Sequence, residues 1–204
     1  MSRLLTTCLL SIPLWGQSLV NTSCPNQGQA GSTVMCTIGL SLGAGVRIDS
    51  LTLAVTVMPN GAAPSLTSGP LIFADSISAL FKTTGGTNNS IAVMWGWLTP
   101  ALSGSPTLGS VAFTLPSSAV NGQAYTVNIT GISASLGDNV VNLSASFGTT
   151  VGVTRPVLTL SPSSLSFSAV QGGTNPANQT VAVSNTGVGT LNWSTTAASI
   201  ARPA

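Results

Sequence analysis

The 204-residue chain has no histidine and no glutamate, and its only acidic side chains are Asp49, Asp75 and Asp138, far apart in sequence. General acid–base work, nucleophile activation and metal ligation draw on His, Asp, Glu, Lys or Cys held close together and tuned by their neighbours. The remaining ionisable groups are Arg3, Arg47, Lys82, Arg155, Arg202, Tyr125 and three cysteines. This inventory points away from an enzyme and toward binding or architecture, with no catalytic residue, metal or cofactor expected. Charge is equally scarce. Five basic residues against three acidic ones give a net charge of +2 with no basic cluster, so no electrostatic footprint for nucleic acid or anionic lipid is present.

What fills the chain instead is apolar residues, at 43%, alternating with Ser, Thr, Asn and Gly. Disorder requires low hydrophobicity with high charge, whereas this mixture suits pleated strands joined by tight turns. Val34, Cys36, Ile38, Leu40 and Leu42 alternate with Met35, Thr37, Gly39 and Ser41. Leu51, Leu53, Val55 and Val57 alternate in the same way with Thr52, Ala54, Thr56 and Met58. Residues 90–98, 107–115, 124–129 and 140–147 are further strand candidates, each bounded by Gly, Pro, Asn or Ser. Only Ser76 to Lys82 has the pattern of a short helical turn, with Asp75 as its cap. Many short strands and almost no helix predict an all-β fold, an antiparallel β-sandwich.

The N-terminus carries Arg3, a short apolar run from Leu4 to Trp15, then small or polar residues. The run is shorter than the ~20 apolar residues of a spanning helix and has the layout of a signal peptide. Cleavage near Gly16 predicts a secreted protein with no membrane span in the mature chain. A lipid anchor on Cys8 is the competing reading, but the small residue expected just before a lipidated cysteine is missing. Removal of residues 1–16 leaves Cys24 and Cys36 as an even pair in an oxidising compartment, which favours a disulfide over two buried thiols.

Trp95 and Trp97 share the alternating face of Ile91 and Val93. The period-two pattern favours core packing for both. The alternative is an exposed platform on which a sugar ring stacks, with Tyr125 as a further candidate. Trp193 reads as core. Asp138, in Leu136-Gly137-Asp138-Asn139, reads as a turn former, since one carboxylate makes a poor Ca²⁺ site. Asp49 reads as a solvated strand start.

Two resemblances add to this reading. The stretches GQAGSTVMCTIGLSLG (28–43), RIDSLTLAVTVMPN (47–60) and SIAVMWGW through Asn142 make residues 17–153 resemble the cohesin-like, jelly-roll-type β-sandwich of secreted bacterial proteins. That resemblance implies extracellular docking of a protein partner such as a dockerin, in a surface or polysaccharide-degrading assembly, with polysaccharide binding or a spacer role as alternatives. Met58-Pro59-Asn60 stands where a Tyr-Asp-Pro type ending is common in the family, so no dockerin-contact residue is carried over. After a linker at 154–156, residues 157–204 resemble the first strands of a BACON-like, immunoglobulin-like repeat, matched from Leu158 to Trp193. A sandwich of that type needs about seven strands, so this part reads as an incomplete domain whose Leu and Val positions lack a facing sheet.

Overall fold

A computed structural model describes residues 18–67 and 69–196. The expected signal peptide and Cys8 lie outside the described residues. In chain order the strands are β1 (Leu19–Ser23), β2 (Gln27–Gln29), β3 (Thr33–Ser41), β4 (Arg47–Ile48), β5 (Ser50–Pro59), β6 (Ile72–Asp75), β7 (Phe81–Gly86) and β8 (Ser90–Gly96). They continue as β9 (Leu102–Ser103), β10 (Thr107–Thr114), β11 (Ala124–Leu136), β12 (Asn139–Val141), β13 (Ser144–Ala145), β14 (Thr149–Thr154), β15 (Leu158–Ser161) and β16 (Ala182–Asn185).

Two sheets form the sandwich. A five-stranded sheet runs β13-β1-β3-β10-β6, and a seven-stranded one runs β2-β14-β11-β5-β8-β7, with β12 paired to β11. Period-two alternation explains how they meet. On β3 the odd-numbered positions face out while Val34, Cys36, Ile38 and Leu40 are buried, and on β5 Leu51, Leu53, Val55 and Val57 are fully buried. Facing rows from the two sheets interlock into one core with Val93, Leu108, Val111, Val127 and Val151. Burying such side chains is worth roughly 1.5–3 kcal/mol each. Among the described residues no buried side-chain polar atom lacks a hydrogen-bond partner.

The sandwich is not wholly antiparallel. β1 pairs with β13, and β2 with β14, in parallel. The reason is that the first and last segments of the sandwich run side by side and cross from one sheet to the other together. Thr22 Oγ1 and Thr149 Oγ1 sit 2.6 Å apart at that crossing. The Cys24–Cys36 disulfide fastens the same place, with Cα atoms 4.3 Å apart. Ser23 is paired with Thr37, so Cys24 lies opposite Cys36 just beyond the ladder.

Three expectations of local structure change, the first being that residues 140–147 are not one strand but hold β12 and β13, which belong to different sheets. Residues 76–80 make bends rather than a helical turn, and Phe81 and Lys82 begin β7. Asp75 caps nothing there, because its carboxylate accepts the Trp95 indole N–H at 2.9 Å and pairs with Lys82. β11 is also far longer than residues 124–129. Gly131, at φ 60, carries a bulge between Thr130 and Ser133, and the inward positions switch from odd (Tyr125, Val127, Ile129) to even (Ala134).

After Arg155 the chain forms a small separate sheet in which β15 and β16 pair antiparallel. Leu158, Leu160, Phe167 and Val170 are exposed. Trp193, expected in a core, is 55% exposed. Among the described residues no second layer covers the apolar positions of these two strands, and a two-stranded sheet alone is marginal in water.

Candidate functional site

The three aromatic candidates part company. Trp95 is fully buried in the core, its ring edge-to-face with Phe73 at 5.5 Å and its indole N–H held by Asp75. Tyr125 is likewise buried, and its hydroxyl donates to the Pro64 carbonyl at 2.7 Å. Burial pushes the Tyr125 phenol above its usual value of 10.0. Neither ring can serve a platform, because both belong to the inward row that fills the sandwich. Trp97 is 68% exposed.

Strand alternation would send Trp97 inward beside Trp95. It does not, because β8 ends at Gly96 and Trp97 adopts φ 53, the one left-handed non-glycine residue among those described. The conformation turns its ring outward and returns Leu98 to the core. The Leu98 N–H donates to the Asp49 carbonyl at 2.8 Å, and the Asp49 N–H donates to Ser135 O at 2.9 Å. These bonds hold the Trp97 corner against the break between β4 and β5. A left-handed bulky residue is costly and persists where the surroundings over-determine it.

Phe81 supports the ring. It pairs across the ladder with Gly96 and meets Trp97 edge-to-face at 6.2 Å and 74°. The two rings border a groove of ≈ 420 Å³ floored by Ser50, Met94 and Ser135. Its far wall is the β11–β12 hairpin. Gly137, at φ 57, takes the first of the two turn positions and Asp138 the second. Asp49 Oδ2 accepts the Gly137 N–H at 2.8 Å, so the Asp49 carboxylate fixes the hairpin tip to the strand start.

Sequence reasoning places Trp97 among the candidates but misses Phe81 and the meeting of Asp49 with Asp138. Residues 81–82 read as part of a turn, and no local pattern brings positions 49 and 138 together. Two of the chain's three acidic side chains belong to residues lining this groove, and among the described residues no Lys or Arg lines it. Lys82 is engaged by Asp75.

Beyond the groove extends the outer face of β11, β5 and β8. It presents Thr52, Ala54, Thr56, Met58, Ala92, Met94, Thr126 and Asn128, and these three strands hold no charged residue. Among the described residues no three His, Cys, Asp or Glu side chains gather into a metal site. No helix there is long and apolar enough to cross a membrane.

Such an arrangement of two sheets is that of a cohesin-like sandwich. A cohesin module from a family 33 glycoside hydrolase of Clostridium perfringens superposes with a TM-score of 0.51 at 16% identity, covering 68% of this chain and 97% of that one. The sixth cohesin of Acetivibrio cellulolyticus scaffoldin B, solved in complex with a Cel5 dockerin, gives a TM-score of 0.50 at 17% identity, covering 67% and 99%. No protein-family model matches the sequence, and no curated protein matches it.

Proposed function

We propose that this chain is a secreted, non-catalytic module that docks a protein partner, of dockerin type, on the outer face of its seven-stranded sheet. The observation that carries the reading is Trp97, held outward at 68% exposure in a left-handed conformation and buttressed by Phe81 at the rim of an uncharged sheet face. An exposed, pre-set aromatic next to a flat face of small polar side chains and methionines is the anatomy of a binding surface with an anchor. Five adjacent strands span about 24 Å, and strands about 30 Å long give roughly 700 Å². That approaches the ~800 Å² per partner of a standard protein interface. The cohesin-like fold, and the dockerin bound to one of its structural neighbours, support the same partner class. A surface or polysaccharide-degrading assembly is the setting this fold suggests, and residues 157–204 serve there as an immunoglobulin-like spacer.

The second reading is carbohydrate stacking, and it now rests on Trp97 alone. Acrylamide quenching separates the two in the full chain carrying Trp15→Phe and Trp193→Phe. Trp95 is shielded, so the quenchable emission is that of Trp97. Protection of that emission by purified dockerin modules, and by no polysaccharide, supports docking. Protection by a polysaccharide and by no dockerin supports the sugar reading instead.

A further inference from the structure

We propose that the groove between Trp97, Phe81 and the β11–β12 hairpin receives a lysine or arginine side chain of the docking partner, held by the two aromatic rings and by the carboxylates of Asp49 and Asp138. The proposal deepens the docking reading and rests on it for the identity of the partner as a protein. Its warrant is charge complementarity. In a chain with a net charge of +2 and only three acidic side chains, two of them line one groove that, among the described residues, has no Lys or Arg in its lining. Among the described residues Asp49 makes no ion pair, and its Oδ2 accepts the Gly137 N–H. The third carboxylate, Asp75, is occupied by Lys82 and the Trp95 indole and lies outside the groove.

The aromatic wall supplies the other half. A cation over an aromatic face is attracted by the ring quadrupole, most strongly for tryptophan. Arginine and lysine lay their apolar stems along such rings while the charged head reaches polar groups. Met94 lines the same groove and offers apolar surface for the stem, while Asp138 lines it from the hairpin tip and Asp49 from the strand start that holds this tip. A neutral sugar ring also stacks on tryptophan and its hydroxyls donate hydrogen bonds to carboxylates, but only a cation gains the Coulomb attraction of both carboxylates as well.

The test is ¹H–¹⁵N NMR of the full chain, which has four tryptophans. The indole N–H of Trp97 is assigned with Trp97→Phe, and that of Trp95 is an internal control for folding because it is buried against Asp75. The probes are acetyl-Gly-Arg-Gly-amide, the same peptide with neutral citrulline in place of arginine, and cellohexaose. The expected result is a saturable shift of the Trp97 resonance by the arginine peptide, about five-fold weaker with citrulline. It weakens further as salt is raised. Asp49→Asn and Asp138→Asn each reduce arginine binding about two- to five-fold while the Trp95 resonance stays in place. In the Asp49→Asn protein the side-chain amide oxygen can still accept the Gly137 N–H, so the hairpin tip keeps its tether. Equal responses to the two peptides, no response to the arginine peptide, or a cellohexaose shift indifferent to both Asn substitutions overturns the proposal. Docking itself is read separately by Thr52→Arg, which lies on the sheet face outside the groove, so the two ideas can fail independently.

Discussion

Replacing Trp97 by glycine should leave the protein more stable than replacing it by alanine. At an ordinary position the order is the reverse, with glycine about 0.5–1 kcal/mol worse because it loses more backbone freedom on folding. Trp97 sits at φ 53, where a Cβ crowds the carbonyl and costs roughly 1–2 kcal/mol. Both variants lose the same ring, which is about one-third covered, so the lost burial cancels between them. What remains is the left-handed penalty that alanine keeps and glycine sheds, less the entropy glycine adds to the unfolded chain. The difference is about 1 kcal/mol in favour of Trp97→Gly. Urea unfolding followed by circular dichroism reads it directly. With a slope of about 2 kcal/mol/M, glycine should raise the midpoint by about 0.5 M over alanine. A Trp97→Ala protein as stable as Trp97→Gly, or more so, would refute the claim that the corner holds Trp97 in a costly conformation.

The neighbouring tryptophan should behave in the opposite way. Trp95→Ala removes a fully buried ring and the indole donor to Asp75, which costs about 3–5 kcal/mol in the same urea experiment. Opening the Cys24–Cys36 bridge by paired serine substitutions removes a cross-link with a sequence separation of 12. The unfolding free energy should drop by about 3 kcal/mol, with the fold retained in circular dichroism. Tyr125 is the only tyrosine, so phenolate absorbance reports on it alone. Its folded pKa is raised by burial, and the native state therefore binds that proton more tightly than the unfolded one. The stability this contributes is complete below pH 10 and is lost as pH rises through the raised folded value. In an alkaline titration phenolate should appear together with loss of the β-sheet signal, and phenolate forming while the sheet remains intact would contradict the burial.

The sandwich was legible because apolar alternation is long and uninterrupted on β3, β5 and β8, and on β10 it resumes at Val111 and Phe113 after a register shift ahead of Gly109. Burial on one face leaves little choice of register, since a one-residue slip would expose the whole row. Turn residues marked the ends. The bulge at Gly131 hid the second half of β11, because it reverses the parity that period-two reading relies on. The parallel pairings of β1 and β2 were invisible for a different reason, as they join segments more than a hundred residues apart. Trp97 shows the limit most sharply. Alternation carried one residue past Gly96 places it in the core, and only a backbone turn that no side chain announces sends it out. Asp49 looked like a solvated strand start and Asp138 like an ordinary turn residue, and their shared groove comes from the β11–β5 ladder bringing Ser135 opposite Ser50. In the tail, β15 and β16 pair only with each other among the described residues, and Trp193, read as core from the pattern of its sequence, is exposed there.

The docking claim is tested most directly by isothermal titration of the full chain with purified dockerin modules, comparing Thr52→Arg on the outer face of the seven-stranded sheet with Thr37→Arg on the outer face of the five-stranded one. A long charged side chain in the centre of a docking face blocks close approach, while the same change on the opposite face touches nothing. The account predicts that binding is abolished by Thr52→Arg and kept by Thr37→Arg. Binding that survives Thr52→Arg and is lost with Thr37→Arg would contradict it and move the interface to the other side of the sandwich.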